Sequence, residues 1–430
     1  MVSALLYWNG LVPKSNLNLQ EDAIELRLYL KNYDKEKKMK NTTLRNLFIL
    51  VGSTLSVLQG AIVAPALPKI SEHFAGVENI EFLSKLILSI SPLFLALFSP
   101  IAGIMLEKYG RKNVLIIATV LYAFAGTTGF YLDNIYLILV GRALLGITIS
   151  AMMTGFIVVL GDLYKGNELN KYMGIQGALM SFGGMVYLLV GGALANISWN
   201  LPFVGYAFSL IITIGLLLFL DETKPQNITN EKPNLETKTK FSKEIIFLNV
   251  IAFLVMVIYL MVPTQLPFFL SNTFKVSPQS IGGFLALWIL ASSIASLSYS
   301  KIRKSLNISQ IYVVGLCLWT IGYVFLYFSP SIPLILVSLA ISGIGNGLVV
   351  PNLKTELLEL VTPNQRGKQS GILTASLYFG QFFSPILMQP IISNFTIKEP
   401  FIFTAIILII IAVVYFRKNI NGRDRIKVKL

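Results

Sequence analysis

The chain carries few side chains able to do covalent or metal chemistry. His73 and Cys317 are its only histidine and only cysteine, so a metal site built on His and Cys lacks a ligand set and no intrachain disulfide can form. No cofactor is implied. An enzyme would need a nucleophile with its base, or clustered ligands, and neither is present. No Gly-x-x-x-x-Gly-Lys-Ser/Thr phosphate loop occurs. Each of the 21 acidic residues falls at a helix end or in a loop. Glu72 and His73 on one side, and Asp162, Glu356 and Glu359 on the other, come nearest to apolar runs and read as solvated helix-end charges. Within the runs stand one arginine, Arg142, and a set of neutral polar and aromatic residues: Gln59, Gln176, Tyr187, Tyr259, Gln265, Trp288, Asn346, Tyr378 and Gln381. The chemistry open to such a set is recognition, by hydrogen bonds and ring contacts in an apolar pocket. Hydrogen bonding between helices is the competing role for each.

The elements that position these residues are membrane helices. Of the 430 residues 54% are apolar and only 13% charged, with mean hydropathy +0.69. Soluble domains carry about 25% charged residues, so this chain cannot cover itself in water. Runs of about 20 apolar residues suit a bilayer. Twelve can be read, at about 46–68, 82–106, 113–132, 135–160, 172–195 and 201–220, then about 245–270, 280–300, 310–328, 333–355, 369–393 and 400–416. The formal charge of +14 follows the topology. Every lysine and arginine falls in the termini or in the loops of one side, except Lys69, Lys85, Lys275 and Lys398, assigned to loops of the other side, and Arg142, assigned alone to a helix interior. Loops rich in basic residues mark the cytoplasmic side. Both termini are therefore expected inside, and no nucleic-acid partner is needed to explain the charge.

The chain reads as a duplication. LILVGRALLGITIS (137–150) matches LILVSLAISGIGNG (334–347), and the same register pairs Gly174 with Gly371, Gly183 with Gly380 and Lys171 with Lys368. An internal repeat places a ligand site near the bilayer midplane, between the halves. The expected organisation is a cytoplasmic extension (1–44), a six-helix bundle (45–220), a polar, proline-bearing linker (221–243), a second bundle (244–416) and a basic tail (417–430). Residues 1–38 lack the basic start and cleavage site of a signal peptide. A short amphipathic helix on the inner surface is one reading of this segment; the preferred one is that Lys35-Glu36-Lys37-Lys38-Met39 is encoded by a ribosome-binding sequence followed by a start codon, with Met39 as the expected native N-terminus. Recovery of a native peptide from 1–38 would refute that.

GIMLEKYGRKN (103–113) resembles the signature loop of the major facilitator superfamily, Gly-x-x-x-Asp-Arg-x-Gly-Arg-Lys. Gly103, Gly110, Arg111 and Lys112 match, with Glu107 and Lys108 at the acidic and first basic positions. Small residues there permit a tight reversal, and charges can cap helix ends. The resemblance implies a cytoplasmic latch between the halves; a loop serving topology only is the plainer alternative. The matching loop, SKIRKSLN (300–307), keeps only its charge. Arg142, in GRALLG (141–146), is similar to the fourth-helix motif of drug:proton antiporters, Arg-x-x-Gln-Gly, with Leu145 at the glutamine, and the resemblance assigns it to proton coupling. Helix 5, GIQGALMSFGGMVYLLVGGAL (174–194), resembles the Gly-Pro-x-x-Gly-Gly motif at Gly191 and Gly192, whereas Tyr187-Leu188 replaces Gly-Pro. Gly183 and Gly184 add to its glycine density, for which close packing is a sufficient reason. SWNLPF (198–203), GIGNGLVVPNL (343–353) and NQRGKQSGILTASLYFGQFFSP (364–385) also look like the bacterial exporter group.

The resemblance covers about residues 40–416. It implies an all-α membrane protein of twelve transmembrane helices in two pseudo-symmetric six-helix bundles, with helices 3, 6, 9 and 12 facing outward. It implies a multidrug-efflux type of secondary transporter in the bacterial cytoplasmic membrane, with protons as coupling ion. Partners are then a small molecule, protons and lipid, with the chain a monomer. A cation exporter often needs a buried carboxylate that trades a proton for the substrate. Its absence weights the expectation toward neutral or anionic amphiphiles. A dedicated exporter of a metabolite or metal-chelating natural product, and an importer, stay open, as does a scaffold or receptor.

Overall fold

The computed structural model describes residues 41–222, 242–362 and 365–420. Among the described residues twelve helices long and apolar enough to cross a membrane follow one another. In the first half they are α1 Asn41–His73, α2 Ile80–Tyr109, α3 Arg111–Tyr131, α4 Ile135–Leu163, α5 Gly166–Ile197 and α6 Leu201–Phe219. In the second they are α7 Lys243–Phe274, α8 Pro278–Ile302, α9 Ile308–Tyr327, α10 Ile332–Leu360, α11 Arg366–Asn394 and α12 Glu399–Ile420. No strand occurs among the described residues. The expectations for residues 1–38 and Met39 and for the residues beyond Ile420 lie outside the described residues, as does most of the linker.

Local chemistry sets the helix ends. The Asn134 side chain accepts from the amides of Tyr136 and Leu137, Ser242 caps α7 and Ser277 caps α8, and Asn307 with Gln310 forms a reciprocal box on α9. Such caps satisfy the amides that a first helical turn leaves free. The helices outrun the apolar runs: α1 begins at Asn41, and α12 continues through Arg417 and Lys418. Helical hydrogen bonding continues where long basic side chains can reach the interface. α1 is interrupted by a 3-10 turn at Ala64–Ala66, where Pro65 has no amide to donate.

The two halves are repeats in space as well as in sequence. A Cβ on Gly146 of α4 would meet the Ser91 carbonyl of α2, and a Cβ on Gly343 of α10 would meet the Trp288 carbonyl of α8, 2.6 Å away. Gly146 and Gly343, and likewise Ser91 and Trp288, correspond in the register that matches 137–150 to 334–347. Tyr122 of α3 donates to the Leu55 carbonyl of α1 (2.7 Å), and Tyr323 of α9 donates to the Ile258 carbonyl of α7 (2.9 Å). Between halves, α5 packs on α8, α2 on α11, and α1 on both α7 and α8. Large apolar side chains of α3, α6 and α12, such as Phe124, Leu218 and Ile410, stay exposed, which fits a lipid surround.

Two charges depart from the sequence expectation. Lys85 does not lie in a loop: α2 starts at Ile80, so Lys85 falls inside the helix, and it is 0% exposed. Arg142 is therefore not the sole charge in a helix interior. Glu356 is not a solvated helix-end charge either. It is buried and accepts from Lys418 and from the Tyr415 hydroxyl of α12, each at 2.8 Å, because α12 extends far enough to bring both partners to it.

Candidate functional site

At the centre lies a cavity of about 220 Å³ lined by α1, α2, α4, α5, α7, α8 and α11. Its wall is mostly apolar, with Gln59, Tyr259, Trp288, Tyr378 and Gln381 among the lining residues. The Tyr259 and Trp288 rings meet at 5.0 Å between centroids. The Tyr378 hydroxyl and the Gln381 amide reach only thioethers, Met153 Sδ at 3.2 Å and Met256 Sδ at 3.6 Å. Gln59 Oε1 and Trp288 Nε1 are buried without partners. Weakly held or unpartnered donors and acceptors in an apolar wall are what a bound molecule would satisfy.

The other sequence candidates lie outside this wall. Gln176 donates to Ser53 Oγ (2.7 Å), the Tyr187 hydroxyl meets that of Thr54 (2.6 Å), and Asn346 donates to Ser292 Oγ (3.0 Å). These bonds join helices. Gln265 is fully buried, with neither amide atom partnered. Sequence reading did not single out Met153, Met180 or Pro263, which also line the cavity.

Arg142 stands directly behind the wall. Fully buried, it donates through Nε to the Ile87 carbonyl (2.9 Å) and through a terminal nitrogen to the Tyr206 hydroxyl (2.6 Å). Its other terminal nitrogen donates to the Gln59 carbonyl, which also accepts from Tyr206 at 2.7 Å. The carbonyl is free for this because the α-helical segment ends at Ala61, leaving last-turn carbonyls in need of donors. Among the described residues no carboxylate pairs with it. The planar fork thus ties α1, α2 and α6 to α4 at the level of the cavity.

The two halves press together near the far end, whereas toward the basic end α5 and α11 carry exposed residues such as Met173, Gly174 and Gly367. Near the far end, Gly192 of α5 lies so close to α8 that a Cβ would meet the Pro278 carbonyl at 2.7 Å, and a Cβ on Gly282 of α8 would meet the Leu188 carbonyl. Gly191 approaches the Ile62 carbonyl of α1 as tightly, while Gly183 and Gly184 are looser, at 3.3 Å from Thr54 and 3.0 Å from Val57. Toward the basic end, Gly103, Gly174, Gly177, Gly367 and Gly371 have no heavy atom within 4 Å of such a Cβ.

The loop between α2 and α3 makes its contacts within the first half. Arg111 donates to Asp162 of α4 (3.1 Å), and its amide donates to the Glu222 carboxylate (2.6 Å). Lys112 reaches the Leu217 carbonyl at 3.1 Å. Glu107 and Lys108 are exposed. The second half repeats the device: Arg303 pairs with Glu359 at 2.9 Å, and Glu359 corresponds to Asp162 in the repeat register. Gly110 has φ 88° and ψ 151°, a region open essentially to glycine alone. Gly110→Ala should destabilise the protein by about 1–3 kcal/mol, since its Cβ would also meet the Glu222 carboxylate at 2.7 Å. Thermal unfolding of the purified variant reads this as a lowered midpoint.

Among the described residues, twelve membrane helices in two repeated bundles around a central cavity form the architecture of a membrane transporter. The chain belongs to the Major Facilitator Superfamily, whose sequence model matches residues 49–309 and 248–427. It is 24% identical over 358 residues to the class H tetracycline resistance protein of Pasteurella multocida, covering 81% of this chain and 88% of that one. To the bacillibactin exporter of Bacillus subtilis it is 26% identical over 369 residues, covering 82% and 90%. In fold it is similar to the inward-open Escherichia coli xylose transporter XylE, with TM-score 0.72, 13% identity, and 86% and 94% of the two chains covered.

Proposed function

We propose that this chain is a secondary active exporter, moving small amphiphilic molecules out of a bacterial cell by alternating access, with protons as the coupling ion. The observation that carries this reading is the apolar cavity between the halves, which we read as opening toward the basic end because the halves press together near the far end. With basic loops cytoplasmic, that cavity loads from the cell interior and the inner leaflet, and both termini are inside. The chain works as a monomer in the cytoplasmic membrane. A relative named as an exporter supports the direction, the bacillibactin exporter of Bacillus subtilis, and a multidrug transporter protein of the same organism, 23% identical over 417 residues, supports the substrate class. Arg142 acts on coupling by holding the Gln59 segment of α1 against α2, α4 and α6. The loop at Gly103–Lys112 latches the halves when the basic end closes, and Gly183, Gly184, Gly191 and Gly192 let α5 slide on its neighbours. A second reading, export of one metal-chelating natural product, is favoured by the similarity to the bacillibactin exporter.

The test is proton movement in reconstituted vesicles when lipophilic cations, neutral amphiphiles and anionic amphiphiles are added in turn. Substrate-triggered proton flux supports antiport. Transport without any proton movement would replace it by uncoupled export. In the same vesicles, Trp288→Phe removes an unpartnered buried donor from the wall. It should weaken apparent affinity for acceptor-bearing aromatic substrates by up to about tenfold, the size of one ordinary hydrogen bond, and leave the maximal rate unchanged.

A further inference from the structure

Among the described residues Lys85 has no hydrogen-bond or ion-pair partner, and Glu81, one turn back on α2, is the acidic group whose field reaches it. Lys85 lies on α2, one helical turn toward the far end from Leu88, which lines the cavity. Its ammonium has no hydrogen-bond partner and sits over the Phe268 ring of α7, 4.9 Å from the centroid. Two more orphans lie beside it in sequence register: Ser89, one turn along the same face of α2, and Gln265, one turn from Phe268 on α7. All three side chains are 0% exposed. They come from both halves, where α2 and α7 meet. Burying a polar group without a partner is unfavourable, and burying a charged one more so. Among the described residues Lys85 has no ion pair.

Their place suggests what they answer to. The halves press together near the far end, at Gly192 and Gly282, so a molecule leaving that way must part those contacts. Separation of α2 from α7 would turn Lys85, Ser89 and Gln265 toward the passage just beyond the cavity. We propose that these three side chains form a transient binding site for an anionic oxygen group, such as a carboxylate, on the transported molecule. The ammonium supplies charge, the amide and hydroxyl supply donors, and Phe268 offers a wall for the apolar body. The site rests on the alternating-access reading above and narrows its substrates to molecules bearing an anion.

The experiment uses reconstituted protein with its far end facing the bath. Lys85 acylation by a membrane-impermeant amine reagent is followed by peptide mass spectrometry, with exposed Lys275 as the internal control. The probes are 2-naphthoate, salicylate and octanoate, each against its methyl ester. The expected result is acylation of Lys85 from that face, slowed about tenfold by at least one carboxylate and unchanged by its ester. Lys85→Gln should weaken the inhibition of transport by that carboxylate about tenfold, with the ester unaffected. An unlabelled Lys85 beside a labelled Lys275, no protection by any carboxylate, or equal protection by the ester would each overturn the site. If proton movement coupled to substrate persists in that case, the anion site alone falls. If it too is absent, the transport reading falls with it.

Discussion

Arg142→Ala is expected to abolish transport while leaving the protein folded but weakened. The guanidinium serves three acceptors at once: the carbonyls of Gln59 and Ile87 and the Tyr206 hydroxyl. Its removal leaves buried acceptors short of a donor, at about 1–3 kcal/mol for an unsatisfied group, and opens a cavity behind the binding wall. Tyr206 still holds the Gln59 carbonyl, so the loss falls below a simple sum and the fold survives. The interrupted segment of α1 that carries Gln59 loses its tie to α2 and α4, and with it the geometry of the cavity. Arg142→Lys keeps the charge without the fork and can serve fewer of these acceptors. It should recover part of the thermal stability and little transport. Transport rates in vesicles, read beside unfolding midpoints of the same preparations, check both statements. Full transport in Arg142→Lys would reduce the residue to a point charge.

Gly192→Val is expected to trap the transporter with its far end open. A Cβ there meets the Pro278 carbonyl at 2.7 Å and the Gly282 Cα at 3.1 Å, backbone atoms that cannot rotate away. Overpacking of this kind costs about 1–3 kcal/mol, and every 1.4 kcal/mol is a tenfold shift between two states. The cost falls on the far-end-closed state alone, so the population moves by about ten- to a hundredfold toward the other and turnover drops accordingly. Gly177→Val on the same helix is the control, since a Cβ there meets nothing within 4 Å. Labelling of an engineered cysteine near the far end should rise in the first variant and not rise in the second. A Cys317→Ser background is needed, because the native thiol is exposed.

The spans and the repeat were legible because hydropathy and register are local properties of the chain. The match of 137–150 to 334–347 reappears as two glycines, Gly146 and Gly343, each pressed on a neighbouring backbone. Lys85 was missed for a physical reason. Charges near the start of an apolar run are ordinarily solvated, and only tertiary packing, with Phe268 of α7 under the ammonium, buries this one. A clue was present, since Lys85 and Ser89 stand one turn apart on one face. Glu356 was misread similarly, as its partners lie in α12, far along the sequence. Sorting the nine neutral candidates needed the third dimension. Where a helix is buried on most sides, as α7 is, its periodicity does not say whether Tyr259 or Gln265 faces the cavity.

The central claim is reciprocal motion of the two ends of one helix pair, and paired spin labels on α5 and α8 test it directly. One pair joins Ile197 and Gln279 at the far end, the other Glu168 and Lys301 at the basic end, all four exposed. Distance distributions are recorded in nanodiscs with and without a transported substrate and across a range of pH. The account predicts that whenever the far-end distance lengthens the basic-end distance shortens, with Gly192→Val favouring the far-end-open member of each pair. Two distances that lengthen together, or a basic end that never closes, would contradict alternating access about the central cavity.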